Sequence, residues 1–162
     1  MARFIAGAAI GKQFADALTV KACGITAETG VDMFTTATVE FPRGIIAQLV
    51  CGVSCEMPVE AVAFGTKGRL ALVNPWLPSS PARTALKPLP LDTRWPSEKI
   101  LHWTEGRAEP VEIVITADRD LYTYEADTVN AHIAQMQAPA MSWNDSLGNM
   151  RLLDAWRKEI GA

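Results

Sequence analysis

The sequence has no surplus of basic charge, and this shortage argues against one large class of function. Its 162 residues include 15 lysines and arginines against 18 aspartates and glutamates, which gives a formal net charge of -3. A nucleic-acid binder needs a basic face that displaces counterions from phosphates. We therefore expect no nucleic-acid partner.

Long apolar runs are absent as well. No stretch approaches the roughly 18 residues of a membrane span. The apolar residues 1–10 have neither the basic segment nor the cleavage site of a secretory signal. With 49% hydrophobic and 20% charged residues, the composition is that of a globular domain. The sequence therefore predicts one domain over residues 1–162, located in the cytoplasm and without a membrane partner.

Cysteine and histidine are both scarce. The cysteines Cys23, Cys51 and Cys55 lack the paired spacing of a disulfide framework, which favours a reducing compartment. Cys51 and Cys55 lie four residues apart, but neither His102 nor His132 stands at metal-ligand spacing from them. We predict no metal site, and we interpret the cysteines as buried small apolar side chains.

Two signatures of common catalytic sites are missing. No serine stands in a nucleophile-elbow context. The segment Gly65-Thr66-Lys67-Gly68 has glycines and a lysine but lacks phosphate-loop spacing, so it is interpreted as a turn. The sequence therefore predicts no catalytic residue and no cofactor-binding residue in this chain.

The sequence does contain a series of strands joined by tight turns. Residues 33–41 alternate with period two, and Pro42-Arg43-Gly44 predicts a turn into a partner strand over residues 45–52. Further strands are predicted for residues 19–25, 59–64, 69–73, 97–103 and 111–116. Hairpins with helices at the ends of the chain indicate an α+β fold, with a mostly antiparallel or mixed sheet and helices on one face.

Helices are predicted near both ends of the chain. A short one covers residues 2–10, and another starts after Asp118 or Asp120. The last begins at Ser142, with Asp145 three residues later as in a capping box, and ends at Gly161. The middle helix has a predicted apolar stripe of Tyr122, Ala126, Val129, Ile133 and Met136. The last helix has one that is expected to be buried, consisting of Trp143, Leu147, Met150, Leu153, Trp156 and Ile160.

Prolines are concentrated in one stretch. Six of the ten lie between residues 74 and 96. Because proline lacks a backbone donor and blocks strand pairing, this stretch is predicted to be a long loop. A loop of this length often makes functional contacts, although it can also lack fixed structure.

One face of the predicted sheet has a mixed character. Helices cover only one side, and the other side combines apolar residues with threonine and glutamine, which suits a subunit interface. Scattered surface apolar residues are the alternative. The interface candidates are Phe34, Thr36, Thr38, Gln48, Val50, Val62, Phe64 and Val114. We therefore expect a homodimer or higher oligomer that forms through this open face.

A few polar side chains are candidates for chemistry. His102 lies in a predicted strand, where it is either a substrate contact or a structural residue. Asp118, Asp120, Glu125 and Asp127 form an acidic cluster that suits acid–base work or complements a helix dipole. A small enzyme built on His102 and this cluster is therefore one hypothesis.

Several short motifs, taken in order, resemble a known family. They are Thr29-Gly30-Val31-Asp32, residues 41–48, Gly65-Thr66-Lys67-Gly68-Arg69-Leu70, Asn74-Pro75-Trp76, and then Tyr122, Glu125, Asp127, Pro139, Met141, Ser142, Asp145, Ser146, Asn149, Met150, Leu153 and Asp154. Over nearly the whole chain, their order and spacing resemble the C-terminal domain of the Gfo/Idh/MocA oxidoreductases, the family of glucose–fructose oxidoreductase and inositol dehydrogenase.

The resemblance implies a domain that shapes the substrate pocket of an NAD(P)-dependent sugar or polyol dehydrogenase and associates through its open sheet face. Trp76 and Tyr122 then join His102 as substrate-pocket candidates. The family binds NAD or NADP in an N-terminal Rossmann domain, which this sequence does not contain. Residues 3–7 resemble the stretch that comes directly after the family's proton-donor segment, so we expect the catalytic lysine and the proton donor to be missing as well.

Two interpretations are consistent with these features. In the first, the chain is a substrate-pocket and oligomerisation domain, either a fragment or a truncated product, that is inactive by itself. In the second, it is a free-standing binding or assembly module that docks onto other subunits, such as a separate Rossmann chain. The substrate stays open among sugars, inositols, sugar acids and dihydrodiols.

Overall fold

The computed structural model describes residues 1–72, 75–76, 98–119 and 121–162. The helices within these residues are α1 (Ala2–Ala9), α2 (Leu121–His132) and α3 (Trp143–Ile160). The strands are β1 (Thr19–Thr26), β2 (Asp32–Phe41), β3 (Ile45–Gly52), β4 (Ala61–Gly65), β5 (Gly68–Leu72), β6 (Glu98–Thr104) and β7 (Val111–Ile115). Most of the predicted proline-rich loop over residues 74–96, and Asp120, lie outside the described residues.

The described strands pair in antiparallel fashion throughout. They form a first sheet in the order β1-β2-β3 and a second sheet in the order β4-β5-β6-β7. The chain divides into two compact units. The first contains Met1–Met57 and Pro139–Ala162, and the second contains Pro58–Ala138. The predicted α+β class with antiparallel strands is confirmed.

The core of the first unit lies on one side of β2. Thr35, Ala37, Val39 and Phe41 alternate along this strand, and all four are buried. They pack with Trp156 of α3, whose indole Nε1 donates a hydrogen bond of 2.6 Å to Thr35 Oγ1. The period-two pattern of residues 33–41 therefore separates a core side from an outward side, as alternation predicts.

The turn between β2 and β3 needs left-handed backbone at two positions. Pro42 begins it, and Arg43 and Gly44 have φ angles of 66° and 73°. Glycine adopts this conformation without steric cost, whereas arginine adopts it less readily. The hairpin predicted at Pro42-Arg43-Gly44 is confirmed.

The ends of α3 match the capping pattern in the sequence. The Ser142 hydroxyl accepts a hydrogen bond from the Asp145 backbone N–H, and the Asp145 carboxylate accepts one from the Ser142 backbone N–H. Gly161 closes the helix in a left-handed conformation. Both predicted boundaries of α3 are confirmed.

The predicted buried stripe of α3 is wrong for most of its residues. Trp156 is buried and Ile160 is partly buried, but Trp143, Leu147, Met150 and Leu153 are all exposed. The face that packs instead contains Gly148, Leu152, Trp156 and Ile160. Because α3 is apolar on both sides, its sequence pattern alone does not determine which side faces the core.

A buried arginine joins α1 to α3. Arg3 is only 4% exposed, and its Nη1 donates to the Asp145 carbonyl oxygen at 2.7 Å while its Nη2 donates to Asp16 Oδ1 at 2.8 Å. Gly148 leaves room for this guanidinium, since a Cβ there would lie 2.1 Å from Arg3 Nη2. This contact fixes the side of α3 that packs inward.

In the second unit, α2 ends earlier than its predicted stripe. The helix stops at His132, and Ile133 begins a short 3-10 turn that ends at Met136, where the backbone is left-handed. Tyr122, Val129, Ile133 and Met136 are exposed. None of the helices in the described residues is both long enough and apolar enough to cross a bilayer.

Candidate functional site

The first sheet has an outward side, here called the open face, that is formed by alternate residues of its three strands. It comprises Thr19, Lys21, Cys23 and Ile25 of β1, Phe34, Thr36, Thr38 and Glu40 of β2, and Ile46, Gln48 and Val50 of β3. Strand register places Thr36 opposite Val50 and Thr38 opposite Gln48. The structure therefore brings five of the predicted interface candidates together: Phe34, Thr36, Thr38, Gln48 and Val50.

The open face combines exposed apolar groups with polar groups that are already hydrogen-bonded. Ile25, Ile46 and Val50 are between 56% and 65% exposed. The Thr38 hydroxyl donates to Gln48 Oε1 at 3.1 Å, and the Thr36 hydroxyl donates to the Leu49 carbonyl oxygen at 3.1 Å. Because these hydroxyls keep their partners when water is removed, a second protein surface can cover them without leaving them unsatisfied.

Six residues of the open face are not among the interface candidates predicted from the sequence, and the less polar ones are Cys23, Ile25 and Ile46. Ile46 lies two positions before Gln48 on the same strand, so the period-two rule applied to β3 would have found it. Cys23 and Ile25 lie opposite Thr36 and Phe34. Finding these two required the register between β1 and β2, which the chain sequence does not specify by itself.

The other three interface candidates share one face of the second sheet. Val62 and Phe64 lie in β4, and register across β5 and β6 places Val114 on the same side. That side also holds Arg69, whose guanidinium carbon lies 4.1 Å from the ring centroid of Trp103. Since Phe64 is 78% exposed, this face also combines apolar and charged groups, and its role in association stays a prediction.

The predicted substrate-pocket residues lie in three separate segments of the second unit. His102 is half-buried in β6, between Leu70 of β5 and Val111 of β7. Trp76 follows β5 and is exposed, and Tyr122 is exposed in the first turn of α2. Their role in a substrate pocket stays a prediction.

The acidic cluster is held by an arginine and a tyrosine. The Tyr124 hydroxyl donates to Asp118 Oδ1, and Arg119 pairs with Asp118 at 3.2 Å and with Asp127 at 2.6 Å. These hydrogen bonds, first from Tyr124 and then from Arg119, lower the pKa of Asp118. A general acid or base works best with a pKa near the operating pH, so the geometry favours a structural role at the start of α2 over acid–base catalysis.

The predicted burial of the cysteines is wrong. Cys23, Cys51 and Cys55 are free thiols, and all three are exposed. Cys23 lies on the open face, Cys51 lies in the edge strand β3, and Cys55 follows that strand. Partial burial of the thiol, and then the charge of Asp32, raise the pKa of Cys51. Within the described ranges, no group of three or more His, Cys, Asp or Glu side chains is arranged to hold a metal ion.

Comparison with known proteins relates this arrangement to solved oxidoreductases. No profile of a known protein family matches the chain, and no curated protein matches its sequence. An aldose-aldose oxidoreductase from Caulobacter crescentus, solved in complex with glycerol, matches with a TM-score of 0.64 at 14% identity, over 90% of this chain and 39% of that chain.

Two further solved structures have the same fold. A 3-ketoreductase from Actinomadura kijaniata, solved in complex with TDP-benzene and NADP, matches with a TM-score of 0.71 at 18% identity, over 99% of this chain and 46% of that chain. The UDP-N-acetylglucosamine 3-dehydrogenase from Acidithiobacillus ferrooxidans matches with a TM-score of 0.56 at 17% identity, over 90% of this chain and 42% of that chain.

The chain thus spans less than half the length of each of these solved chains. At identities of 14–18%, the likeness shows a shared fold. It confirms the fold predicted from the resemblance, which is that of the C-terminal domain of Gfo/Idh/MocA-type oxidoreductases.

Proposed function

We propose that this chain is the substrate-pocket and oligomerisation domain of an NAD(P)-dependent sugar or polyol oxidoreductase, and that it transfers no hydride by itself. One observation carries the proposal. The fold covers 90–99% of this chain but only 39–46% of three solved oxidoreductase chains, with TM-scores from 0.56 to 0.71. That this chain matches only part of each solved oxidoreductase supports a role as one domain of a larger enzyme.

The names of these solved proteins support the substrate class. One is an aldose-aldose oxidoreductase, one is a dehydrogenase of UDP-N-acetylglucosamine, and one is a 3-ketoreductase with NADP bound. Sugars or sugar nucleotides are therefore the substrates that we propose for the enzyme to which this chain contributes.

The second unit supplies the proposed pocket residues. His102 has ring nitrogens that can exchange hydrogen bonds with hydroxyl groups, and its half-buried position limits competition from water. Trp76 and Tyr122 offer exposed aromatic surface, which suits the apolar side of a sugar ring. In this proposal, the three side chains contact the substrate, and the reacting groups come from another domain.

Hydride transfer needs a nicotinamide that is bound and oriented against the substrate. The sequence contains no glycine-rich turn between a strand and a helix that would cradle a dinucleotide. We therefore place the cofactor in a Rossmann domain that this chain contacts, whether on the same polypeptide or on another one.

Calorimetric titration of the purified chain with NADH and with NADPH tests whether this chain lacks a cofactor site of its own. We expect no saturable heat of binding for either dinucleotide. The 3-ketoreductase from Actinomadura kijaniata, whose structure contains NADP, serves as the positive control. Saturable binding of one dinucleotide per chain would show that the chain has its own cofactor site, contrary to the proposal.

The first unit supplies the proposed oligomerisation surface. The open face is exposed and partly apolar, and its Thr36 and Thr38 hydroxyls already have hydrogen-bond partners within the sheet. Exposed apolar groups next to polar groups that are already hydrogen-bonded suit a protein interface. We propose that a second copy of the chain covers this face.

A further inference from the structure

The outer side of α3 is a second apolar surface, separate from the open face. We call it the outer stripe, and it consists of Trp143, Ser146, Leu147, Met150, Leu153, Asp154 and Arg157. Its apolar members are between 47% and 62% exposed. The opposite side of α3 packs into the core through Leu152 and Trp156, so this helix is apolar on two sides.

The outer stripe is arranged symmetrically about Met150. Leu147 and Leu153 stand three residues before and after it. Two further pairs stand at equal separations before and after Met150, namely Ser146 with Asp154 and Trp143 with Arg157. At about 3.6 residues per turn, separations of three, four and seven residues fall on one side of a helix.

We propose that α3 pairs in antiparallel fashion with α3 of a second copy, around a twofold axis that passes next to Met150. A twofold axis makes each residue meet the residue at the same distance on the other side of the axis. Leu147 of one copy then packs against Leu153 of the other, and the two Met150 side chains meet at the axis. The stripe is thus self-complementary about Met150, which is what such self-pairing requires.

The polar ends of the stripe favour a second copy in this orientation. The Ser146 hydroxyl of one copy can donate to the Asp154 carboxylate of the other, and the Arg157 guanidinium can lie over the exposed Trp143 ring. Antiparallel helix dipoles also attract each other. A parallel pair would instead place Asp154 against Asp154 and Arg157 against Arg157, which repel.

This surface goes beyond the proposed function, because it does not involve the open face. The inner side of α3 packs on the core side of the first sheet through Trp156 and Thr35, and the open face is the other side of that sheet. Two copies can therefore meet at each surface independently. A single helix pair buries less than the roughly 1,200 Å² of a standard interface, so we expect a weak contact that strengthens an assembly joined elsewhere.

Disulfide cross-linking tests the pairing at its axis. The background replaces the exposed native cysteines Cys23, Cys51 and Cys55 by serine. In this cysteine-free background, Met150→Cys should form a covalent dimer under mild oxidation about tenfold faster than Arg151→Cys. The reason is that the pairing holds residue 150 of one copy next to residue 150 of the other, whereas the two copies of residue 151 lie apart. Arg151 is the matched control, since it is also exposed on α3 but lies about 100° around the helix from Met150, away from the axis.

The register provides a second readout. Leu147→Cys combined with Leu153→Cys should cross-link into dimers, whereas Leu147→Cys alone should do so about tenfold more slowly, because the two copies of residue 147 lie on opposite sides of the axis. Circular dichroism confirms that each variant is folded. Equal rates at Met150→Cys and Arg151→Cys, no dimer at Met150→Cys, or rapid cross-linking of Leu147→Cys alone would each overturn the proposal.

Discussion

The Arg3 guanidinium occupies the space that a side chain at position 148 would need. It donates to Asp16 and to the Asp145 carbonyl oxygen and is almost fully buried. In the middle of α3, alanine would otherwise be preferred over glycine by roughly 0.5–1 kcal/mol. At position 148, the room that glycine leaves for Arg3 therefore stabilises the fold more than the better helix propensity of alanine would.

Gly148→Ala should lower the free energy of unfolding by about 1–3 kcal/mol, because overpacking displaces a buried and hydrogen-bonded arginine. Urea denaturation followed by circular dichroism measures this change. Ser146→Ala, at an exposed position of the same helix, is the control and should change stability by less than about 0.5 kcal/mol. A stabilised Gly148→Ala variant would show that helix propensity dominates at this position.

Asp118 and Tyr124 share one hydrogen bond that shifts the pKa of both groups in opposite directions. Tyr124, followed by Arg119, lowers the pKa of Asp118, and Asp118 raises the pKa of Tyr124. The aspartate contribution to stability is thus present above its unfolded pKa and is lost as the pH falls through the lower folded value. The tyrosine contribution is present below its unfolded pKa and is lost as the pH rises through the higher folded value.

Tyr124→Phe should therefore raise the pKa of Asp118 toward the usual value for aspartate, since the largest cause of its depression is removed. Carboxyl carbon shifts in an NMR titration report this pKa directly. Tyr122→Phe, two residues away, should leave it unchanged. An Asp118 pKa that is the same in the wild type and in Tyr124→Phe would contradict the hydrogen bond.

Residue burial was only partly predictable from the sequence. The alternation in β2 correctly separated Thr35, Ala37 and Val39 from Thr36 and Thr38, because a strand places successive side chains on opposite sides. The cysteines were expected inside and are exposed. Burial at such positions depends on which strands lie at a sheet edge, and the residue type does not determine this.

Among the elements, helices and strands could be located from local signals, but the inward side of a helix could not. Ser142, Asp145 and Gly161 marked both ends of α3, since caps satisfy backbone groups locally. The choice between its two apolar sides depends on Arg3, Thr35 and Trp156, which come from distant parts of the chain. Periodicity within the helix carries no information about these partners.

Two neighbouring leucines of α3 separate its two sides experimentally. Leu152 packs against the core, whereas Leu153 is 47% exposed. Leu152→Ala should lower the free energy of unfolding by about 2–3 kcal/mol, and Leu153→Ala by less than about 1 kcal/mol. Urea denaturation of both variants measures the difference. A larger loss at Leu153 would mean that the stripe predicted from the sequence faces the core after all.

At the scale of the whole molecule, the α+β class and the fold shared with solved oxidoreductases were predictable, because they rest on the order of many short motifs. The roles of individual side chains were less predictable from the sequence. His102 lies in β6, Tyr122 in α2 and Trp76 after β5, so local sequence patterns carry no information about how the three side chains are arranged. The open face was recognisable because alternation and composition agreed along β2 and β3.

Sedimentation equilibrium measures whether copies of this chain associate through the open face. All proteins carry Met150→Asp, so that pairing through α3 does not contribute. We expect species heavier than the 17.6 kDa monomer, and we expect Val50→Glu to weaken their association at least about tenfold, since a buried unpaired charge costs well over 1.4 kcal/mol. Val59→Glu, similarly exposed but outside the strands, should leave association unchanged. A protein that stays monomeric at all concentrations, or that associates equally with glutamate at position 50, would contradict association through the open face.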